Sequence, residues 1–288
     1  SNARLGAEPV SPSQYTLDYF LAECDGYRAY LATRGTDLPL RLRVAHELAR
    51  VEPGHLVLDI GCGRGETVRQ CALSGARAIG IDYSPDALAL ARQTLKELPP
   101  DVAEATLIAQ CDAKALPFAD GVFDRVLMLD IVEHLHLWEL RQSFAEVARV
   151  LKPTGWLLVH TMPNRWYYAV GYPMYRLASW LMRRPLPRNP RHRWRYVEHV
   201  HVNEQDVLSL RRTLAGAGLR PNVWLQHVDS EHSDEPRLIG IARRVLGSVF
   251  PLSLVFCNDI FAIATLPQHE RRGSTRQDGA SPGDGERR

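Results

Sequence analysis

The stretch Val57-Leu58-Asp59-Ile60-Gly61-Cys62-Gly63-Arg64-Gly65-Glu66 decides the fold. Its opening continues an apolar, β-rich run from Leu56, and the run stops at three glycines spaced G-x-G-x-G. A glycine-rich turn between a strand and a helix lets a ligand approach the backbone closely and aims free N–H groups at it. Dinucleotide-binding turns space their glycines G-x-G-x-x-G. Here Glu66 stands where the third glycine would fall, so the match to a pyrophosphate-bridged nucleotide is imperfect.

Outward from this turn, short apolar runs alternate with helical stretches, the pattern of βαβ units in a parallel sheet. Arg77 to Ile81 is a second strand, and Ser84-Pro85 supplies an N-cap and a first-turn proline for a helix that Pro99-Pro100 stops. Further strands are expected over Thr106 to Gln110 and Phe123 to Leu129. A helix from Leu135 to Leu151 follows, then a turn at Lys152-Pro153-Thr154-Gly155 and a fifth strand from Trp156 to Thr161. The aromatic, Pro- and Arg-rich segment 162–202 breaks the alternation and is expected to be a substrate-side insertion. A helix from Asn203 to Ala217 and strands over Leu219 to His227 and Phe256 to Leu266 complete seven strands. Two helices, Tyr15 to Thr33 and Leu38 to Val51, precede the sheet as a helical lid over 13–51. The expected fold is α/β, a mostly parallel seven-stranded sheet with helices on both faces, as one domain over 4–266. Ser1-Asn2-Ala3 resembles an expression-tag scar, and the polar, aromatic-free segment 267–288 is expected to be a disordered tail.

Composition bounds the function classes. With 45% hydrophobic and 24% charged residues the chain can bury a sizeable core, and a net charge of +2 is too small to imply nucleic acid by itself. Five cysteines without a CxxC pair argue against a disulfide framework and a thiolate zinc site, which suits a cytoplasmic protein. The most apolar stretch, Val245 to Ala264, is interrupted by Pro251 and Asn258-Asp259. No transmembrane segment is therefore expected, although peripheral membrane contact stays open.

The glycine turn with its flanks resembles motif I of the class I S-adenosylmethionine-dependent methyltransferases, whose fold is Rossmann-like. Gly80-Ile81-Asp82-Tyr83-Ser84, Cys111-Asp112-Ala113 with Leu116-Pro117-Phe118, Phe123-Asp124-Arg125-Val126, Asp130-Ile131-Val132-Glu133-His134-Leu135 and Val150-Leu151-Lys152-Pro153-Thr154-Gly155-Trp156 resemble the remaining core motifs in the family's order. The resemblance is closest to the small-molecule subgroup, of methyltransferase type 11 kind. It implies S-adenosylmethionine as cofactor and S-adenosylhomocysteine as product. The implied cofactor residues are Asp59, Gly61, Cys62, Gly63, Gly65, Asp82, Tyr83, Asp112, Ala113 and Asp130. Asp82 would accept both ribose hydroxyls, Asp112 the adenine amino group, and Leu116 or Phe118 would cover the ring.

His134 is the candidate general base, since an imidazole titrates near working pH; it serves equally well as a helix cap or pocket wall. Asp130, Glu133 and His134 share a spacing that converges on one helix face, and relatives acting on quinone catechols or on the 2'-hydroxyl of small RNAs bind a divalent metal with a similar run. No second nearby histidine completes the set in sequence, so no metal is expected. Candidate acceptor-binding residues are Tyr15, Tyr19, Trp166, Tyr167, Tyr168, His199 and His201, while the arginines of the insertion either attract an anionic group or form a solvated loop. The expected reaction is O-methylation of a small metabolite (a sugar, polyketide or phenolic intermediate) with no nucleic acid partner. The alternatives are small-molecule N-methylation, an NAD(P)-dependent oxidoreductase, and a non-catalytic binding protein of this fold. Oligomeric state is not legible.

Overall fold

The computed structural model describes residues 7–193, 195, 197–228 and 237–267; the proposed tag scar and the segment past Pro267 lie outside them. Seven strands form one sheet: β1 Leu56–Ile60, β2 Arg77–Asp82, β3 Thr106–Gln110, β4 Phe123–Leu129, β5 Leu151–Thr161, β6 Arg220–Leu225 and β7 Ile260–Thr265. The order is β3-β2-β1-β4-β5-β7-β6, parallel throughout except that β7 runs antiparallel to both neighbours. The helices are α1 Tyr27–Thr33, α2 Leu40–Ala49, α3 Glu66–Leu73, α4 Pro85–Leu95, α5 Pro100–Ala103, α6 Leu137–Val150, α7 Tyr172–Leu181, α8 Val197–Val200, α9 Val207–Gly216, α10 Arg237–Ser248 and α11 Ser253–Phe256.

Strand alternation explains why helices cover both faces. Val126 and Met128 of β4, with Leu157 and Val159 of β5, pack on Leu140, Phe144 and Val147 of α6 and on Leu210 and Leu214 of α9. The intervening Leu127 and Leu158 point the other way, into a second core with Ala45 and Ala49 of α2, Val68 of α3 and Leu88 of α4. Both faces of the central strands are buried, which is why their sequences are almost continuously apolar.

Four local expectations need correction. The expected helix over Tyr15 to Thr33 is divided into a π-helical turn, Tyr19–Glu23, and α1, because Gly26 between them adopts φ 77°. The expected turn at 152–155 belongs to β5, whose register against β4 shifts between Phe123 and Arg125. Here Gly155 passes so close to β4 that a Cβ would lie 2.8 Å from the Phe123 and Asp124 carbonyl oxygens. The helix expected from Asn203 starts at Val207, since Asp206 caps it by accepting from the Leu208 and Ser209 N–H groups. Residues 253–256, whose last was expected to open the final strand, form α11.

Candidate functional site

Strand order reverses beside β1, with β2 on one side and β4 on the other, and ligand crevices of open α/β sheets form at such points past the carboxyl ends of the strands. A cleft with about 1110 Å³ of empty space, part of it open to solvent, lies there. Its floor is the turn after β1. A Cβ on Gly61 would meet Ile131 at 2.8 Å and one on Gly65 would meet Ala91 of α4 at 2.9 Å. Both residues have positive φ, so no larger side chain fits.

Two carboxylates flank this turn. Asp82, at the end of β2, accepts from the Gly63 N–H at 3.0 Å and the Ser84 N–H at 2.9 Å, which fixes its orientation toward the cleft. Burial pushes its pKa up, against the pull of those N–H groups. Asp59 is 4% exposed, and burial together with the charge of Asp82 raises its pKa to about 7. Asp112 is tied to Lys114, whose ammonium reaches Asp112 at 3.0 Å and Glu139 at 2.9 Å. Tyr83, Cys62 and Ala113 complete this side of the wall.

The amino-terminal segment supplies the opposite wall through Tyr15, Tyr19, Phe20, Cys24 and Asp25. It is fastened by Tyr83 Oη donating to the Val10 carbonyl at 2.9 Å, Ser84 Oγ to the Tyr15 carbonyl at 2.8 Å, and the Leu17 N–H to Asp86 at 2.9 Å. The strongest fastening is Arg64, 4% exposed within the glycine turn itself. Its guanidinium donates to the carbonyls of Phe20 at 2.9 Å, Cys24 at 3.3 Å and Asp25 at 2.9 Å, pairs with Glu66 at 2.8 Å, and lies over the Tyr30 ring. Arg41 of α2 adds a second tie, pairing with Asp25 at 3.0 Å and with Asp130 at the end of β4. Asp130, at φ 55°, also meets fully buried His160 Nδ1 at 2.5 Å, and His160 Nε2 faces Asp259 at 3.3 Å.

His134 lies in a short turn after β4 and lines the cleft, edge-on to Tyr15 and Tyr19 with ring centroids 5.5 and 6.4 Å away. Its Nδ1 is 3.1 Å from the Val200 carbonyl, to which it donates, so Nε2 is the atom left with a lone pair. Burial lowers its pKa to about 4, opposed by that carbonyl. The second histidine that sequence spacing failed to supply comes from the loop after α8. His201 packs perpendicular to His134 with centroids 4.8 Å apart, and burial also holds it neutral. One ligand atom each from Glu133, His134 and His201 lie within 4.8 Å of one another, a grouping that could hold a metal ion. Asp130, the third member of the acidic run, is instead committed to Arg41 and His160. Glu133 accepts from Thr161 Oγ1 at 2.7 Å, and burial raises its pKa to about 7.

The fold thus brings Asp59, Gly61, Cys62, Gly63, Asp82, Tyr83, Asp112, Ala113, Asp130, His134, Tyr15 and Tyr19 to one cleft. Gly65 is placed just behind it, against α4. Other expectations fail. Leu116 and Phe118 do not cover the cleft; both pack in the core beneath β4, Phe118 against Phe123 at 5.0 Å. Trp166, Tyr167 and Tyr168 stand outside the cleft wall, where Tyr167 and Tyr168 begin a chain of ring contacts running to Tyr172 and Tyr175. His199 is exposed on α8, and His201 meets the site beside His134 and Glu133. Sequence reasoning does not single out Arg41 or Arg64; the carbonyl partners of Arg64 stand 39 to 44 residues earlier in the chain, where no local signal points to them.

Residues 58–159 match a family described as a methyltransferase domain. The chain is 34% identical to the demethylmenaquinone methyltransferase of Tropheryma whipplei over 148 residues, 51% of this chain and 56% of that protein. It is 37% identical to the ubiquinone biosynthesis O-methyltransferase of Thiobacillus denitrificans over 124 residues, 43% of this chain and 51% of that protein. The chain therefore spans about half the length of these curated relatives. In fold it is similar to a solved geranyl diphosphate methyltransferase in complex with S-adenosylmethionine, with a TM-score of 0.55 at 17% identity, over 90% of this chain and 96% of that one.

Proposed function

We propose that the chain is a class I S-adenosylmethionine-dependent methyltransferase that transfers the methyl group to a hydroxyl of a small, ring-bearing acceptor. The observation that carries this reading is the convergence of the bare glycine turn, the two buried carboxylates and the unspent Nε2 of His134 on one cleft.

The cleft suits a nucleoside-sulfonium donor. Asp82 keeps lone pairs directed at a ribose while the Gly63 and Ser84 N–H groups hold it in place. Asp59, whose charge is penalised by burial and by Asp82, gains from a cationic neighbour, which an amino-acid ammonium or a sulfonium provides. Asp112 and the Ala113 backbone lie where an adenine edge can be addressed, and Ile81, Cys111 and Leu135 supply apolar cover. When bound, the donor supplies an activated methyl group, so alignment of the acceptor contributes most of the acceleration.

A hydroxyl acceptor must also lose its proton. His134 Nε2 takes it, and the Val200 carbonyl holds the Nδ1–H tautomer that leaves Nε2 basic. Tyr15 and Tyr19 wall the acceptor beside this imidazole and, with Phe20, exclude water. The likeness to a ubiquinone biosynthesis O-methyltransferase supports transfer to oxygen.

Two measurements test the reading. Calorimetric titration should give binding of S-adenosylmethionine and S-adenosylhomocysteine but not of NADH, and methyl-labelled donor should mark phenolic acceptors at oxygen. Binding of NADH in place of the sulfonium, or label arriving only on amines, overturns it.

A further inference from the structure

Helix α7 is inverted relative to an ordinary surface helix. Its buried side carries Tyr172 and Ser179, whereas Met174, Leu177, Trp180 and Leu181 are 54, 59, 63 and 69% exposed. Their spacing places them along one outward stripe. Helix α10 repeats the arrangement: Ile241 and Val245, one turn apart, are 59 and 55% exposed, and just past its end Phe250 is 78% exposed.

The two helices rise from one base. Asn164 Nδ2, at the start of the insertion, donates to the carbonyls of Leu254 at 2.9 Å and Cys257 at 3.0 Å, on and beside α11. Gly171, immediately before α7, lies so close to α11 that a Cβ would collide with the Val255 carbonyl oxygen. At the end of α10 the Gly247 backbone approaches Phe256 and Cys257. Two outward apolar stripes are thus carried on one support, and exposed apolar residues grouped in this way mark an interaction surface.

Charge selects the occupant. Neither 162–197 nor 237–258 contains an Asp or Glu, while the first holds eight arginines and the second three. Arg176, Arg183, Arg184 and Arg188, on α7 and just after it, are exposed. A second copy docking face to face would set arginine against arginine, because a two-fold interface pairs the same patch with itself. An anionic bilayer suits both features: Trp, Leu and Met side chains enter the acyl boundary while arginines reach the headgroups. Among the described residues no helix is long and apolar enough to cross a membrane, so contact at the surface is the mode the sequence supports.

We propose that α7 and the end of α10 form a docking face for the surface of an anionic lipid bilayer. The inference goes beyond the methyl-transfer reading and stands on different residues; failure of that reading would show in the donor titration and not in the test below.

The full chain is sedimented with vesicles of phosphatidylcholine alone and with vesicles of phosphatidylcholine and phosphatidylglycerol. It should pellet with the anionic vesicles, weakly with the neutral ones, and less as salt rises. Trp180→Ser with Leu181→Ser, and separately Phe250→Ser, should each lower the partition coefficient on the order of tenfold or more while leaving Tm and donor affinity unchanged. Arg183→Gln with Arg188→Gln should abolish the preference for anionic vesicles. Failure to pellet with anionic vesicles overturns the proposal. So does a concentration-dependent dimer, seen by ultracentrifugation, that the Trp180→Ser, Leu181→Ser pair dissolves, since that assigns the face to a second copy.

Discussion

Replacing Arg64 by Met should loosen the amino-terminal wall and weaken donor binding while leaving the sheet intact. The guanidinium makes three hydrogen bonds to carbonyls of residues 20 to 25 and one ion pair to Glu66, all with Arg64 and Glu66 only 4% exposed. Removing one member of a buried pair costs about 3–5 kcal/mol, because the remaining charge is left in a poor environment. Three charge-assisted bonds to carbonyls are lost besides, each worth about 1.5–3 kcal/mol. If about 3 kcal/mol of the total falls on closure of the wall, the open form gains on the order of a hundredfold, and where binding needs the wall closed Kd for S-adenosylmethionine rises by the reciprocal of the closed fraction that remains, up to about that factor. Two assays read this: calorimetric titration, and hydrogen exchange over 15–33. Arg64→Met with Glu66→Gln separates the effect from general destabilisation, since the double variant removes the orphaned carboxylate without restoring the carbonyl bonds. It should recover part of the loss in Tm but not affinity. Normal affinity together with unchanged protection of 15–33 would refute the reasoning.

Asp82→Ala should raise Kd for the donor about ten- to a hundredfold, the value of one or two hydrogen bonds to a charged acceptor; an unchanged Kd removes the ribose assignment. His134→Gln should lower kcat by about 10²–10⁴ with donor affinity retained, and in the parent enzyme the imidazole, neutral down to about pH 4, should cause no loss of rate between pH 8 and 6. An acid limb near pH 6.5 that vanishes in the variant would contradict the buried, neutral imidazole. Asp59 has a folded pKa raised from 3.8 to about 7, so its protonated form is favoured in the fold. Its contribution is complete below about pH 4 and is lost as pH rises through 7, an effect on the order of 4 kcal/mol. Urea unfolding at pH 5 and pH 8 should therefore show Asp59→Asn gaining on the parent at the higher pH; a pH-independent difference would refute the assignment.

The sheet and the glycine-turn side of the cleft were legible because their signals are local. A strand, a glycine turn and an acidic strand end occupy a few consecutive residues each, and Gly61, Gly63 and Asp82 met in space because parallel strands deliver their carboxyl ends to one edge. The acceptor side was less legible because its composition is ambiguous. Aromatic residues at helical spacing fit a pocket wall or a packed cluster equally well, and Tyr167 and Tyr168 joined the cluster. Ties between distant segments were not legible at all. Nothing near Arg64 announces that it binds residues 20 to 25, and nothing near His134 announces His201, which arrives from 67 residues later.

These long-range ties bear on how the cleft can favour a cation. Water would screen Asp59 and Asp82 if the amino-terminal wall were absent, and a sulfonium would then gain little from either. With Tyr15, Tyr19 and Phe20 in place, both carboxylates are desolvated by folding, before any ligand arrives, as their raised pKa values register. Part of the cost of removing water from the site therefore falls on the folded chain, and the wall fastened by Arg64 and Arg41 bears it. A cationic ligand relieves that cost and a neutral one of the same shape does not. If the sulfonium is the cation that Asp59 meets, S-adenosylhomocysteine, which keeps the amino-acid ammonium but lacks the sulfonium charge, should lose less affinity than S-adenosylmethionine when Asp59 becomes Asn; equal losses would instead assign the ammonium to Asp59.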